Sequence, residues 1–243
     1  LSLLMAFRSR RHALLGLCVT AGNVGLPHTL ANALKLCEVA GVDLPVFPGC
    51  DRPLVFAAED ASYVHGRDGF GDVGFEPAGR APEAEHAALA IVRLAREHDG
   101  RLLLVTLGPL TNLALALRLD PALPARIGRL VVMGGAVTGK GNTSIGAEFN
   151  FAFDPEAAAI VFEAFPHVEI VDWEAVLRHG FSHADFETWL KVPGTIAAFY
   201  DRISRKTRLW AEGKRGDFWH SADALAMLVA LYPEYIIEKH RHY

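Results

Sequence analysis

The segment 133–150 combines paired glycines with one carboxylate and two amide side chains. It begins Met133-Gly134-Gly135-Ala136 and continues to Asn142, Glu148 and Asn150. Paired glycines let the backbone approach another group closely. The amides and the carboxylate together offer hydrogen-bond donors and acceptors. Each hydroxyl of a sugar is both donor and acceptor and needs mixed partners, so the segment predicts a site for a polyhydroxylated ligand.

Two aspartates stand at predicted helix starts, and the sequence favours different roles for them. Asp154 precedes Pro155 and Glu156, a pattern typical of a helix N-cap with proline at the first helical position, so we predict a structural role. Asp223 begins an apolar helix over 222–231, where the helix dipole alone can explain a carboxylate. A carboxylate among alanines and leucines also needs a partner, which a hard cation would supply.

Two histidines have catalytic potential because of their surroundings. His65 begins a glycine-rich run that extends to Gly79, and long loops of this kind in α/β domains are often functional. His220 stands just before the helix of Asp223 and is either a general acid or an exposed side chain.

Three strand ends provide further candidates. Asn23 follows Gly22 after an apolar run, and this pair is either a turn or a ligand contact. Gly108-Pro109 turns the chain and leaves the main-chain carbonyl of Leu107 free to bind a cation or water. Thr111 and Asn112, which follow, either cap the next helix or contact a ligand.

These residues lie between apolar runs of strand length and stretches of helical period, an alternation typical of βαβ units. The runs are apolar throughout, as expected for parallel strands covered on both faces. We therefore predict a single-domain α/β fold over 1–243, with an open, mostly parallel sheet and helices on both faces. Ligands of such sheets bind beyond the carboxyl ends of the strands. The predicted strands are 13–19, 45–47, 102–106, 130–133 and 168–171, and the predicted helices are 26–40, 83–98, 110–119, 155–165, 194–212 and 222–231.

Composition excludes several classes of function. The 243 residues carry a formal net charge of −4 and contain no long basic run, which argues against a nucleic-acid partner. Apolar stretches fall far short of the roughly 20 residues that span a bilayer, so no membrane partner is expected. The three cysteines are widely spaced and favour free thiols in a reducing, cytoplasmic location. No G-x-G-x-x-G or Walker-type sequence follows a predicted strand, which disfavours a generic nucleotide-binding domain.

Taken together, a series of short motifs resembles the inosine-uridine-preferring nucleoside hydrolases. Each is weak alone, but their order and rough spacing match that family over nearly the whole chain. The motifs are Gly22-Asn23-Val24, Gly49 with Pro53-Leu54, His65-Gly66 through Gly69-Phe70-Gly71, Gly108-Pro109-Leu110-Thr111-Asn112, Met133-Gly134-Gly135-Ala136, Ala147-Glu148-Phe149-Asn150 with Asp154-Pro155-Glu156-Ala157, and Asp223-Ala224-Leu225-Ala226.

The resemblance implies an N-ribohydrolase that cleaves ribonucleosides to ribose and free base, with Ca²⁺ in the ribose site. It implies the Leu107 main-chain oxygen and Asp223 as metal ligands, with Asp223 also contacting ribose. The expected substrate contacts are then Asn23, His65, Met133, Asn142, Glu148, Asn150 and Asp223. His65 resembles the histidine of a mobile loop that closes over the base. A homo-oligomer is expected by analogy with the family.

Two departures from the family pattern bear on catalysis. An aspartate-rich N-terminal segment, which supplies the general base and further metal ligands in the family, is not found in these residues, and a C-terminal segment is also expected to be missing. The family's leaving-group histidine directly precedes the late aspartate, whereas Ala222 stands there, so His220 is the nearest candidate acid. The calcium site is therefore expected to be incomplete and the activity of this chain to be poor or nil. The alternative is a relative that binds ribose or nucleosides without turnover.

Overall fold

Parallel strands form the centre of the structure, a computed structural model that describes residues 1–57, 59–143 and 146–241. Strands β1 (Leu17–Val19) and β2 (Val46–Pro48) pair in parallel. Strands β3 (Leu102–Thr106), β4 (Ile127–Met133) and β5 (Glu169–Val171) form a second parallel sheet in the order β3-β4-β5. A short antiparallel pair, β6 (Phe181–Ser182) and β7 (Phe218–Trp219), lies apart from both. The predicted α/β class with mostly parallel strands is confirmed.

Twelve helices connect and cover these strands in the described part of the chain. They are α1 (Ser2–Arg8), α2 (Leu26–Ala40), α3 (Ser62–His65), α4 (Ala87–Glu97), α5 (Thr111–Leu119), α6 (Leu123–Arg126), α7 (Phe149–Phe153), α8 (Pro155–Ala164), α9 (Trp173–Arg178), α10 (His183–Leu190), α11 (Thr195–Arg215) and α12 (Ala222–Leu231). All six predicted helices are present. The first predicted strand is too long by four residues, because only 17–19 of the range 13–19 pair with β2.

Strand β4 shows why the strands are apolar on both faces. Its Leu130 and Val132 pack into a core formed with α4, α5 and α8. The alternate residues Val131 and Met133 pack on the opposite face against α9 and α12. Successive side chains of a strand point to opposite faces, so helices on both sides favour apolar residues at all four positions from 130 to 133. The ends of these strands are thereby fixed between two packed layers.

Asp154 caps α8, as predicted, and it also links distant segments. Its side chain is fully buried and accepts a hydrogen bond from the Ala157 N–H (3.0 Å). The second carboxylate oxygen accepts from the Thr111 hydroxyl (2.6 Å) and the Leu54 N–H (3.1 Å). The carboxylate therefore fastens the start of α5 and the loop after β2 to the start of α8.

The Asn112 side chain does not cap α5, which is one of the two roles that the sequence suggested. Its side-chain oxygen accepts from the Cys50 N–H (2.8 Å), and its amide nitrogen donates to the Val19 carbonyl (3.0 Å). The contact is close, because a Cβ added at Gly49 would lie 2.3 Å from the Asn112 side chain. Asn112 thus joins the ends of β1 and β2 to the start of α5 and holds the strand ends together.

In the described chain, no helix is both long enough and apolar enough to cross a bilayer.

Candidate functional site

A cavity of about 430 Å³ lies at the carboxyl ends of the strands. Residues that follow β1, β3, β4 and β5 line it, as expected for ligand sites of parallel sheets. The cavity brings together every residue that the sequence suggested for substrate, metal or acid: Asn23, His65, Leu107, Met133, Asn142, Glu148, Asn150, His220 and Asp223.

Glu148 is a buried carboxylate held by main-chain amides. It lies at the N-terminus of α7 and accepts from the N–H groups of Asn150 (3.0 Å), Phe151 (3.2 Å) and Gly135 (3.0 Å). Burial raises the pKa of Glu148, while these amides and the Asn142 side chain partly offset the rise. These three main-chain donors fix the orientation of the carboxylate, and no ion pair to it occurs in the part of the chain that the structure describes.

Both asparagines of the site are oriented by the main chain. Asn150 donates from its amide nitrogen to the Met133 carbonyl (3.1 Å). Among the described residues its side-chain oxygen takes no hydrogen bond and is available as an acceptor. The Asn142 side-chain oxygen accepts from the Phe149 N–H (2.8 Å), and the Asn142 N–H donates to the Ala147 carbonyl (3.0 Å). The described residues of the segment 133–150 therefore present polar side chains that main-chain hydrogen bonds hold in place.

The paired glycines allow the close approach of an aromatic ring. A Cβ added at Gly134 would lie 2.3 Å from the Phe151 ring, and one at Gly135 would lie 2.8 Å from it. Gly135 also has a φ of +81°, which L side chains rarely adopt. These glycines thus bring α7 against the end of β4 and place the Gly135 N–H on Glu148.

Gly135→Ala is expected to destabilise the fold by about 2–4 kcal/mol, because it combines left-handed strain with overpacking against Phe151. The measurement is a denaturant unfolding curve. Gly79→Ala is the matched control, since a Cβ there meets nothing within 4 Å and φ is not positive. Equal stability losses in the two variants would show that the Phe151 contact and the positive φ do not matter.

Asp223 is the second carboxylate of the cavity. It lies in the first turn of α12. Burial raises its pKa to about 6, and the charge of Glu148 adds to the rise. Both carboxylates line the same cavity, and a cationic ligand bound there would favour their ionised forms.

The donor set only partly suits calcium. The Asp223 carboxylate and the Leu107 carbonyl are hard oxygen donors, as Ca²⁺ prefers, but Ca²⁺ takes about six to eight oxygens. No group of three or more His, Cys, Asp or Glu side chains that could hold a metal occurs in residues 1–57, 59–143 and 146–241. The described residues therefore do not form a complete calcium site.

The outer part of the cavity is aromatic and was missed in the sequence. Tyr63 precedes His65 on α3, and its ring meets Trp210 of α11 edge-on, with centroids 6.2 Å apart. Trp173 and Trp219 are buried in the same wall. Phe218–Trp219 is a two-residue apolar run, too short to show a helical or strand period. Trp210 lies in a helix with many charges. No local pattern in the sequence therefore indicated that Trp210 or Trp219 lines a site.

His65 and His220 reach the cavity from different elements. His65 ends α3, and its carbonyl accepts from the Gly71 N–H (2.8 Å), which closes the following loop. Phe70 of that loop packs edge-on against Phe199 of α11, with centroids 5.7 Å apart. His220 follows β7, and the antiparallel pairing of β6 with β7 fixes the chain before it. The two histidines therefore flank the cavity from the aromatic side.

Comparison with known proteins gives a consistent result. The model of the family described as inosine-uridine preferring nucleoside hydrolase matches residues 1–243. The chain is 38% identical to uridine nucleosidase 1 of Arabidopsis thaliana over 96% of this chain and 70% of that protein. It is 35% identical to probable uridine nucleosidase 1 of Oryza sativa subsp. japonica over 98% of this chain and 75% of that protein.

Solved structures show the same similarity. A purine-preferring ribonucleoside hydrolase from Gardnerella vaginalis superposes with a TM-score of 0.90 at 27% identity, over 96% of this chain and 76% of that one. An inosine-guanosine nucleoside hydrolase superposes with a TM-score of 0.89 at 31% identity, over 98% of this chain and 76% of that one.

Proposed function

Because this chain belongs to the inosine-uridine preferring nucleoside hydrolase family, we propose that its cavity binds a ribonucleoside and hydrolyses the N-glycosidic bond to give ribose and free base. The observation that carries the proposal is the convergence of strand-end polar residues on one cavity.

The polar floor of the cavity suits ribose. Asn142, Glu148 and Asn150, with the main chain of Met133, offer donors and acceptors fixed by hydrogen bonds, and Asn23 lies at the rim. Side chains that are already fixed lose little conformational entropy when they bind sugar hydroxyls. We therefore assign these residues and Asp223 to ribose binding.

The two carboxylates supply the electrostatics of the reaction. Loss of the base leaves positive charge on the ribose ring in the transition state, and preorganised negative charge stabilises it. Glu148 and Asp223 both line the cavity, so their negative charges would stabilise the developing cation more than the neutral substrate.

The leaving base is assigned to the aromatic side of the cavity. His65, on α3, is proposed to cover the base, and His220 is proposed to protonate it as it leaves. No described residue is assigned as the general base that activates water.

Calcium is proposed to bind at the Asp223 carboxylate and the Leu107 carbonyl. With these two ligands from the described chain, we expect weak binding, because Ca²⁺ takes about six to eight oxygens.

A second candidate function is the binding of nucleosides or ribose without turnover. The observation that favours it is the lack of a complete metal-binding cluster in the part of the chain that the structure describes. Both functions use the same polar floor.

One experiment separates the two functions. Base release from uridine and inosine is followed with added Ca²⁺ and with a chelator, and ribose binding is measured by calorimetry under the same conditions. We expect release of base that is slow and depends on calcium, because the described residues supply only part of the calcium site and no general base. Calcium-independent binding without release would favour the binding function, and neither binding nor release would refute both.

We also propose that the chain is a single domain that acts in the cytoplasm as a homo-oligomer. The three free cysteines support the reducing location.

A further inference from the structure

Glu174 lies outside the cavity but holds the loop that carries one of its residues. It is on α9, next to Trp173, which lines the cavity. One of its carboxylate oxygens accepts from the Thr138 N–H (2.7 Å), the Thr138 hydroxyl (2.7 Å) and the Lys140 N–H (3.2 Å). The other accepts from the Val137 N–H (3.1 Å). A single carboxylate thus satisfies four donors of one turn.

These hydrogen bonds outweigh the cost of partial burial. Burial alone would raise the pKa of Glu174, but the Thr138 hydroxyl and the main-chain N–H groups lower it below its usual range. The side chain is therefore ionised at neutral pH, and charge-assisted hydrogen bonds of this kind are stronger than neutral ones. The neighbouring Trp173 N–H adds a bond to the Gly135 carbonyl (2.9 Å).

The held turn connects directly to Asn142. Gly141 packs so tightly against Ala147, at the other end of the loop, that an added Cβ would lie 1.9 Å from the Ala147 carbonyl oxygen. The same carbonyl accepts from the Asn142 N–H (3.0 Å). Two carboxylates hold the start of the loop: Glu148 accepts from the Gly135 N–H, and Glu174 accepts from the Val137 N–H. A shift of the turn 137–140 would therefore displace Asn142.

We propose that Glu174 is a positioning residue for ribose binding, which holds the 137–140 turn so that Asn142 keeps its place in the cavity. The inference rests on the proposed function, because it takes Asn142 as a ribose contact. Glu174 itself touches no substrate, so its effect passes through the loop.

The test compares Glu174→Ala, Glu174→Gln and Asn142→Ala, with Glu163→Ala, an exposed glutamate on α8, as the control. We expect Glu174→Ala to weaken ribose binding and raise the KM for nucleosides about tenfold, with kcat changed less than KM. Glu174→Gln is expected to lie between Glu174→Ala and the parent protein, because an amide keeps one acceptor oxygen. The control is expected to match the parent protein.

Two further measurements isolate the mechanism. Amide hydrogen exchange of Val137, Thr138 and Lys140 is expected to accelerate in Glu174→Ala, and unchanged exchange would overturn the inference. The double variant with Asn142→Ala is expected to bind ribose no worse than Asn142→Ala alone. Additive losses, or a loss in Asn142→Ala with none in Glu174→Ala, would overturn the inference and leave the proposed function standing. No loss in Asn142→Ala would remove Asn142 from the ribose site and overturn the inference, whereas the proposed function is tested separately by the release of base.

Discussion

Asp223→Asn is expected to lower nucleoside turnover at least about 100-fold and at the same time to stabilise the protein at neutral pH. The loss of turnover follows from the proposed role of Asp223, because asparagine removes the negative charge that faces the ribose and weakens the cation ligand. Steady-state kinetics with uridine and inosine measure it, and calorimetry with Ca²⁺ is expected to show weaker binding. Unchanged turnover and calcium binding would refute the role of Asp223.

The gain in stability follows from the raised pKa of Asp223. Its folded-state pKa of about 6 lies above the ordinary value of 3.8. The folded state therefore favours the protonated carboxyl, and this contribution is complete below pH 3.8 and is lost as the pH rises to about 6. The loss amounts to about 3 kcal/mol at 1.36 kcal/mol per pKa unit. Asparagine does not titrate and avoids the loss.

The measurement is the free energy of unfolding of both proteins from pH 4 to pH 8 in the presence of a chelator. The difference in the free energy of unfolding, Asp223→Asn minus the parent protein, is expected to be larger at pH 7–8 than at pH 4. The opposite slope would show that Asp223 is stabilised as the anion by groups of the protein. Glu163→Asn, on an exposed face of α8, is the control and is expected to show little pH dependence of the difference.

The sequence predicted those parts of the fold that have a long local signal. Helices α2 and α12 begin and end at the predicted residues, since each has a continuous apolar stripe or run. Strand β3 also matches the prediction. The short helices α3, α7 and α9 were not predicted, because four to six residues cannot show a helical period and their stability comes from tertiary contacts.

The sequence also predicted which residues meet at the cavity, but not how they are held. Strand-end positions of a parallel sheet necessarily converge, so Asn23, Leu107 and Met133 could be placed by topology alone. The contact of Glu174 with the 137–140 turn spans more than thirty residues and joins two loops. Such a contact depends on the register of β4 and β5, and no local spacing encodes it.

The largest loss of stability is expected at Asp154, where one buried carboxylate serves three segments. Asp154→Ala would leave the Leu54 and Ala157 N–H groups and the Thr111 hydroxyl without their acceptor inside the protein. Each buried donor left unsatisfied costs about 1–3 kcal/mol, so a total of about 4 kcal/mol is expected. An N-cap alone costs about 1 kcal/mol.

Asp172→Ala provides the matched comparison, because Asp172 caps α9 with one hydrogen bond to the Ala175 N–H (2.7 Å) and is less buried. Denaturant unfolding of both variants is expected to show a loss at Asp154 several times that at Asp172. Thr111→Val, which removes a single donor to Asp154, is expected to fall between them. Equal losses at Asp154 and Asp172 would mean that Asp154 acts only as a helix cap, and that other contacts hold the loop after β2 against α5.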